Sequence, residues 1–227
     1  MWILTGRLEQ MMRTILSEYQ DPLDLVWLEA CRRWGWNIDR SNQVFAAWDG
    51  SGTLTIGTTE TLDADDSLAQ LILHEFCHAM VEGPDSWNRP DWGLDITDRG
   101  QLFHEHACLV LQAAVSDPYG LRTFFGSTTD ARQFYDVLPS TSAELQLKIE
   151  SSVTAQYNTV CPFAMAARGY ETAKQDRFWK PLQDALAATA AIAEIVSPFT
   201  ADTSLWKTVT QDGARLSVAS SMKKVAK

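Results

Sequence analysis

The chain has 227 residues and a formal net charge of −10, and 45% of its residues are hydrophobic against 21% charged. This composition is typical of a globular protein and excludes a disordered chain, and the negative charge disfavours a nucleic-acid partner because binding phosphates takes clustered cations. No apolar run approaches the roughly 18 residues that a bilayer requires, so the sequence predicts no membrane-spanning helix.

The cysteines are spread singly through the sequence, without a Cys-x-x-Cys pair, as Cys31, Cys77, Cys108 and Cys161. In a chain of this size, that spacing favours buried thiols over a disulfide framework or a thiolate zinc site. The first residues turn polar too early for a secretory signal. We therefore expect a soluble, cytoplasmic protein; a secreted, disulfide-bonded form is the alternative if a signal peptide had been removed.

The first predicted elements are two helices and a hairpin. Apolar residues recur at helical spacing over residues 8–19, which ends at Tyr19, and predict the first helix. Asp21 precedes a proline in the manner of an N-cap, so a second helix is expected to begin there and to end at Gly35. Residues 44–57 contain two apolar segments around a turn rich in glycine, aspartate and serine, which predicts a β-hairpin.

The middle of the chain is predicted to form two further helices joined by a long loop. Asp65 and Asp66 are N-cap candidates for a helix that runs to about Glu82. Residues 85–100 lack any periodicity and are expected to form a structured loop, after which a helix covers about residues 101–115.

The last third of the chain is predicted to be mostly helical. Thr141 and Glu144 resemble a capping box, and the apolar residues that follow at helical spacing are Leu145, Ile149, Val153 and Tyr157. Prolines are expected to stop helices at Pro162, Pro181 and Pro198.

The segment with the clearest chemistry is His-Glu-x-x-His, formed by His74, Glu75 and His78. On a helix, residues i and i+4 lie on one face, so both imidazoles can reach one metal ion, and the glutamate can act on a metal-bound water as general base. A chance cluster is the alternative, but all four histidines of the chain lie between residues 74 and 106. We therefore predict a metal site on this helix.

The third ligand is expected from the next helix, at His104, Glu105 or His106. Site chemistry favours Glu105, because two histidines and one glutamate leave an open position for water. His106 is an alternative third ligand, since it lies nearer the centre of the apolar stripe of this helix, and His104 is the remaining alternative. The expected metal is zinc, with Fe(II) as the alternative because two histidines and a carboxylate also suit non-haem iron.

These observations predict one α+β domain over residues 1–227, mainly helical, with a small early β-sheet or hairpin and the metal-site helix. Residues 1–120 are expected to form the metal-site core, and residues 121–227 a mostly helical C-terminal part.

The arrangement resembles the zincin metallopeptidases of the gluzincin type, and locally it is similar to the elongation factor P hydroxylase family of bacteria. The shared spacing is His74-Glu75-x2-His78-x4-Gly83-x7-Asp91-Trp92-Gly93, followed by a helix with Glu105, over about residues 70 to 115. The second resemblance implies a zincin-like core and lysine hydroxylation. The first implies that the strand at residues 53–56 is an edge to which an extended substrate adds; an ordinary structural hairpin is the alternative.

The favoured function is that of a zinc metallopeptidase in which Glu75 is the general base. The alternatives are an oxygenase similar to elongation factor P hydroxylase and a non-catalytic metal-binding module, the latter disfavoured because a structural site has no need of Glu75. Candidates for a transition-state stabiliser are Tyr119, Tyr135, Tyr157 and Arg122. The expected partner is a peptide or protein substrate, with no nucleic acid or membrane, and the oligomeric state is left open.

Overall fold

The structure is a computed structural model that describes residues 16–95, 98–126, 131–154 and 161–207. Its helices are α1 (Pro22–Trp34), α2 (Leu68–Glu82), α3 (Leu102–Ser116), α4 (Arg132–Asp136), α5 (Ser142–Thr154), α6 (Pro162–Ala173) and α7 (Asp176–Val196). Its strands are β1 (Asn37–Ser41), β2 (Ala46–Trp48) and β3 (Thr53–Gly57). Over these ranges the chain is mainly helical with one small early sheet, which confirms the α+β prediction at this level.

Helix α1 begins and ends where the sequence predicts. Asp21 caps it, since its Oδ1 accepts a hydrogen bond from the backbone N–H of Leu23 at 2.8 Å, and Gly35 ends it with φ 84°. The preceding helix predicted over residues 8–19 falls mostly outside the described residues. Its last part is wrong, because the backbone from residue 16 to 20 is not helical and Tyr19 is 87% exposed. An unpacked helical turn gains too little to form.

The sheet has the strand order β1-β3-β2. Strands β2 and β3 pair antiparallel, which confirms the hairpin, but β1 also pairs with β3, in parallel. The expectation that residues 53–56 form an edge is therefore wrong: β3 is the central strand, and β2 is an edge. Strand β1 was not predicted because Ile38 is its only apolar residue, so its pattern does not show the usual alternation.

Helix α2 is buried on nearly all sides, since α1, α3 and α6 pack around it. Its N-cap is Ser67, whose Oγ accepts from the N–H of Gln70 at 3.2 Å; the predicted caps Asp65 and Asp66 lie two residues and one residue too early, respectively. Gly169 on α6 permits the close approach to the site helices, because a Cβ there would lie 3.0 Å from Cγ2 of Val81.

Helix α5 follows the sequence pattern with one exception among its described residues. The Thr141 Oγ1 accepts from the N–H of Glu144 at 3.2 Å, which confirms the cap of α5, and Leu145 is buried. Val153 is 56% exposed, however, and Tyr157 lies outside the described residues.

The prolines do not all stop helices as predicted. Pro162 begins α6, and Pro198 follows the end of α7, but Pro181 lies inside α7. It is tolerated there because the missing N–H removes one intrahelical hydrogen bond, to the carbonyl of Arg177, near the start of a long helix.

One hydrophobic cluster joins the sheet to α1, α2, α3, α6 and α7. Its largest fully buried side chains include Trp27, Trp34, Phe76, Phe125 and Phe178. Among the described helices, none combines the length and apolar composition needed to cross a bilayer. The cluster fixes α2 and α3 side by side, and this pairing positions the predicted metal-binding residues.

Candidate metal centre

Two neighbouring helices bring three predicted ligands together. His74 and His78 lie one turn apart on α2, and their Nε2 atoms are 3.2 Å apart. Helix α3 places Glu105 against both: its Oε2 lies 3.1 Å from Nε2 of His78, and its Oε1 lies 3.5 Å from Nε2 of His74. The three side chains thus form a ligand triangle with edges of 3.1 to 3.5 Å, in which each histidine faces a different oxygen of Glu105.

This triangle fits a tetrahedral metal ion. Zinc–ligand bonds of about 2.0–2.1 Å at tetrahedral angles separate the ligand atoms by about 3.3 Å. Oε1 of Glu105 is also buried without a hydrogen-bond partner among the described residues, an arrangement that is costly unless a cation or water satisfies it. Both observations favour a metal ion between α2 and α3.

A hydrogen bond on the far side of the ring sets the orientation of His74. Its Nδ1 lies 3.2 Å from Oε1 of Gln112, and the amide nitrogen of Gln112 donates to the carbonyl of Phe125. Because this second bond fixes the amide with its oxygen toward the ring, Nδ1 of His74 must carry the hydrogen. Nε2 is then the atom left to bind a metal, which is the usual function of such a partner.

We expect Gln112→Leu to weaken metal binding by about 10- to 100-fold, because His74 loses the acceptor that orients it. Competition with a chromophoric zinc chelator measures the dissociation constant. Gln70→Leu is the matched control, since Gln70 also donates its buried amide to a backbone carbonyl, that of Phe124 at 3.0 Å, but is hydrogen-bonded to neither histidine. Equal zinc affinities in the two variants would contradict the assigned function of Gln112.

Cys108 forms a second possible ligand set with His74 and His78. Its Sγ lies 3.6 Å from Nδ1 of His74 and donates to the backbone carbonyl of His74 at 3.3 Å. It therefore approaches the ring edge opposite to Glu105. Burial, together with the neighbouring Cys77, raises the pKa of Cys108 well above its ordinary value. The geometry favours Glu105 as the third ligand.

The pKa values of His74 and Glu105 depend strongly on each other. Burial lowers the pKa of His74, but the Glu105 carboxylate outweighs it and raises that pKa to about 10. Burial likewise raises the pKa of Glu105, but His74 and His78 hold it well below its usual range. Without a metal, the buried carboxylate is therefore balanced by a proton on His74, the charge that a bound cation would replace.

An open cleft of about 770 Å³ leads to the triangle, and Glu75, His78 and Glu105 line it. The cleft also exposes Asp91, Asp95 and Asp98, and none of its lining residues in the described part of the chain is a lysine or arginine. Such an electronegative cleft attracts cations, including divalent metal ions.

The wall of the cleft contains a strained turn at Asp91 and Trp92. Their φ angles are 46° and 57°, in the left-handed region that non-glycine residues rarely adopt, at a cost of about 1–3 kcal/mol each. Two contacts with Trp48 hold the turn: Oδ1 of Asp91 accepts from the N–H of Trp48 at 3.1 Å, and the rings of Trp92 and Trp48 stack at 4.4 Å. The indole N–H of Trp92 donates to Oε2 of Glu75 at 2.8 Å.

The alternative third ligands point elsewhere. His104 is hydrogen-bonded to Glu82, with 2.7 Å between Nδ1 and Oε1. His106 stacks on Phe134 of α4, with ring centroids 3.8 Å apart. Both line the cleft, but each imidazole is occupied by a neighbour other than the two motif histidines.

Those predicted transition-state stabilisers that the structure describes do not lie at the cleft. The buried Tyr135 donates its hydroxyl to the carbonyl of Arg122, and the guanidinium of Arg122 pairs with Asp117. Tyr119 does not line the cleft either, and Tyr157 lies outside the described residues. Sequence reasoning also missed Gln112 and Trp92. For Gln112 a signal existed: a glutamine two helical turns after Glu105, within an apolar run.

The cysteines are all free, and Cys31, Cys77 and Cys108 are buried, as predicted from their spacing.

Comparisons of the chain with protein-family models, with curated proteins and with solved structures find no match. The function of the protein is therefore inferred from the geometry of its site.

Proposed function

We propose that the protein is a metal-dependent hydrolase of the zincin type, a zinc metallopeptidase that cleaves peptide bonds. The observation that carries this proposal is the ligand triangle of His74, His78 and Glu105, with edges of 3.1 to 3.5 Å, in one cleft with Glu75. A structural metal site would close all four positions with protein ligands. Three ligands and an adjacent carboxylate at an open cleft are instead typical of a catalytic site.

Each residue has a defined part in the proposed reaction. His74, His78 and Glu105 would hold the ion, and Gln112 orients His74. A bound zinc ion supplies a Lewis acid that polarises a carbonyl and lowers the pKa of a bound water. Glu75 accepts a proton from the water that attacks the peptide carbonyl carbon, and it passes this proton to the amine nitrogen as the C–N bond breaks.

A second candidate is an iron-dependent oxygenase that acts on a protein side chain, and the edge of the sheet favours it. Zincin substrates were expected to add to an edge strand, but β2 has only three residues, Ala46–Trp48. The N–H of Trp48, which faces away from β3, is already bound by Asp91. Little of this edge is left to bind an extended peptide backbone, whereas a side chain could still enter the cleft.

Metal identity and peptide cleavage separate the two functions. The protein is purified untagged, without added metal or chelator, and its metals are counted by elemental mass spectrometry. We expect about one zinc per chain and cleavage within a library of fluorescence-quenched peptides that a chelator stops and added Zn²⁺ restores. Bound iron with oxygen consumption and no cleavage would establish the second candidate, and a chain that binds neither metal would contradict both.

A further inference from the structure

We propose that Trp92 is the positioning residue of the general base: its indole N–H fixes the carboxylate of Glu75 in the orientation that proton transfer requires. This inference rests on the proposed function, because it assigns the residue that Glu75 depends on. It is based on contacts between residues that lie far apart in the sequence, and none of them was predicted from it.

The hydrogen bond divides the two oxygens of Glu75 between two tasks. Oε2 accepts from Nε1 of Trp92 at 2.8 Å. Oε1 has no hydrogen-bond partner among the residues that the structure describes, and Glu75 lines the cleft. A glutamate side chain has three rotatable bonds and samples many conformers when it is free. Because Trp92 holds Oε2, the other oxygen, Oε1, is left to face the cleft, where it can accept a proton from water.

Trp92 can orient Glu75 because its own position is fixed independently. The indole is 3% exposed and stacks on Trp48 at an interplanar angle of 12°. Its backbone has φ 57° and ψ 15°, a strained conformation that the Asp91–Trp48 hydrogen bond maintains. Strain that surrounding contacts maintain is typical of residues that a functional site needs in one place. A tryptophan needed only for packing would not require such a backbone.

The loop that contains Trp92 is also tied to α2, the helix that bears Glu75. Nε1 of Trp87 donates to the carbonyl of Ala79 on α2 at 2.7 Å, and Nε1 of Trp48 donates to the carbonyl of Trp87 at 2.9 Å. Hydrogen bonds within the fold thus connect the donor loop to the helix that bears the acceptor.

Trp92→Phe tests the inference, because phenylalanine keeps an aromatic ring on Trp48 but lacks the N–H donor. We expect kcat on a cleaved fluorescence-quenched peptide to fall by about 10- to 100-fold, with KM and zinc content unchanged, since a misplaced catalytic group costs rate and not binding. Trp27→Phe is the matched control: it also removes a buried indole hydrogen bond, which Nε1 of Trp27 on α1 donates to Oγ1 of Thr189 at 3.0 Å, but not one to Glu75 or to the loop of Trp92. Its kcat should stay near that of the unmodified protein.

A spectroscopic readout tests the contact without any turnover. The chain has nine tryptophans, so ¹⁵N labelling gives nine indole N–H signals, and Trp92→Phe and Trp87→Phe assign two of them. In zinc-loaded protein, Glu75→Gln should move the signal of Trp92, because a charged acceptor becomes neutral, and leave that of Trp87 in place. A Trp92 signal that does not respond to Glu75→Gln overturns the inference whatever the reaction.

The kinetic outcomes separate this inference from the proposed function. If Glu75→Gln is inactive but Trp92→Phe has the kcat of Trp27→Phe, the positioning function of Trp92 is wrong and the hydrolase proposal stands. If Glu75→Gln retains full activity, the general base itself is wrong, and the inference that depends on it is overturned with it.

Discussion

Glu75→Gln should abolish turnover while the metal remains bound. The amide cannot accept the proton of the attacking water, and general-base catalysis by a positioned side chain is worth about 10²- to 10⁴-fold in rate. Glutamine keeps the size of the side chain and an oxygen that can still accept from Trp92, so the aromatic wall of the cleft should be preserved. The readouts are kcat on a fluorescence-quenched peptide and the number of zinc ions per chain.

Glu82→Gln is the control for this variant, because it also neutralises a carboxylate on α2. Glu82 pairs with His104 and does not line the cleft, so its loss should leave kcat almost unchanged. A Glu75→Gln variant with full activity and full zinc content would contradict the assignment of Glu75 as the general base.

The part of the site that could be predicted from sequence is the part that one helix encodes. His74, Glu75 and His78 are placed by helical spacing alone, and α2 supplies that helix over Leu68–Glu82. Local capping signals similarly located the start of α1 at Asp21 and the cap of α5 at Thr141. These features depend on residues a few positions apart, which is why a sequence can show them.

The remainder depends on which elements become neighbours. Gln112 reaches His74 across 38 positions, and Trp92 reaches Glu75 across 17, so no local pattern indicates either contact. The central position of β3 likewise follows from its pairing with β1, a strand with no apolar alternation. Long-range packing decides these features, and periodicity reports only whether a residue faces a core, not which side chain it meets there.

The three adjacent candidates for the third ligand show the same limit of prediction from periodicity. Adjacent residues on a helix differ by about 100° in direction, so His104, Glu105 and His106 face three different neighbours. The apolar stripe favoured His106, but the apolar partner of His106 is Phe134 of α4, a helix the sequence analysis did not predict. Glu105 is the member that faces α2 and its histidines.

We expect Glu105→Ala to reduce metal affinity by more than about 100-fold. The loss of an outer hydrogen-bond partner of a ligand costs about 10- to 100-fold, and the loss of a ligand should cost more. The variant removes a ligand and leaves two histidines, which cannot complete a zinc site that needs at least three protein ligands. Chelator competition measures the dissociation constant, and His104→Ala and His106→Ala serve as controls because both side chains are engaged outside the triangle. Both controls should bind zinc as the unmodified protein does.

Cys108→Ser decides between the two ligand sets that include both motif histidines. If Glu105 is the third ligand, this variant should keep most of its zinc affinity, because the Sγ lies at the Nδ1 edge of His74 and hydroxyl can replace it as donor to the backbone carbonyl. Zinc loss in Cys108→Ser together with normal zinc content in Glu105→Ala would instead assign the ion to the Nδ1 side. His74 would then have to give up its hydrogen bond to Gln112, so Gln112→Leu would no longer weaken binding, and the two measurements check each other.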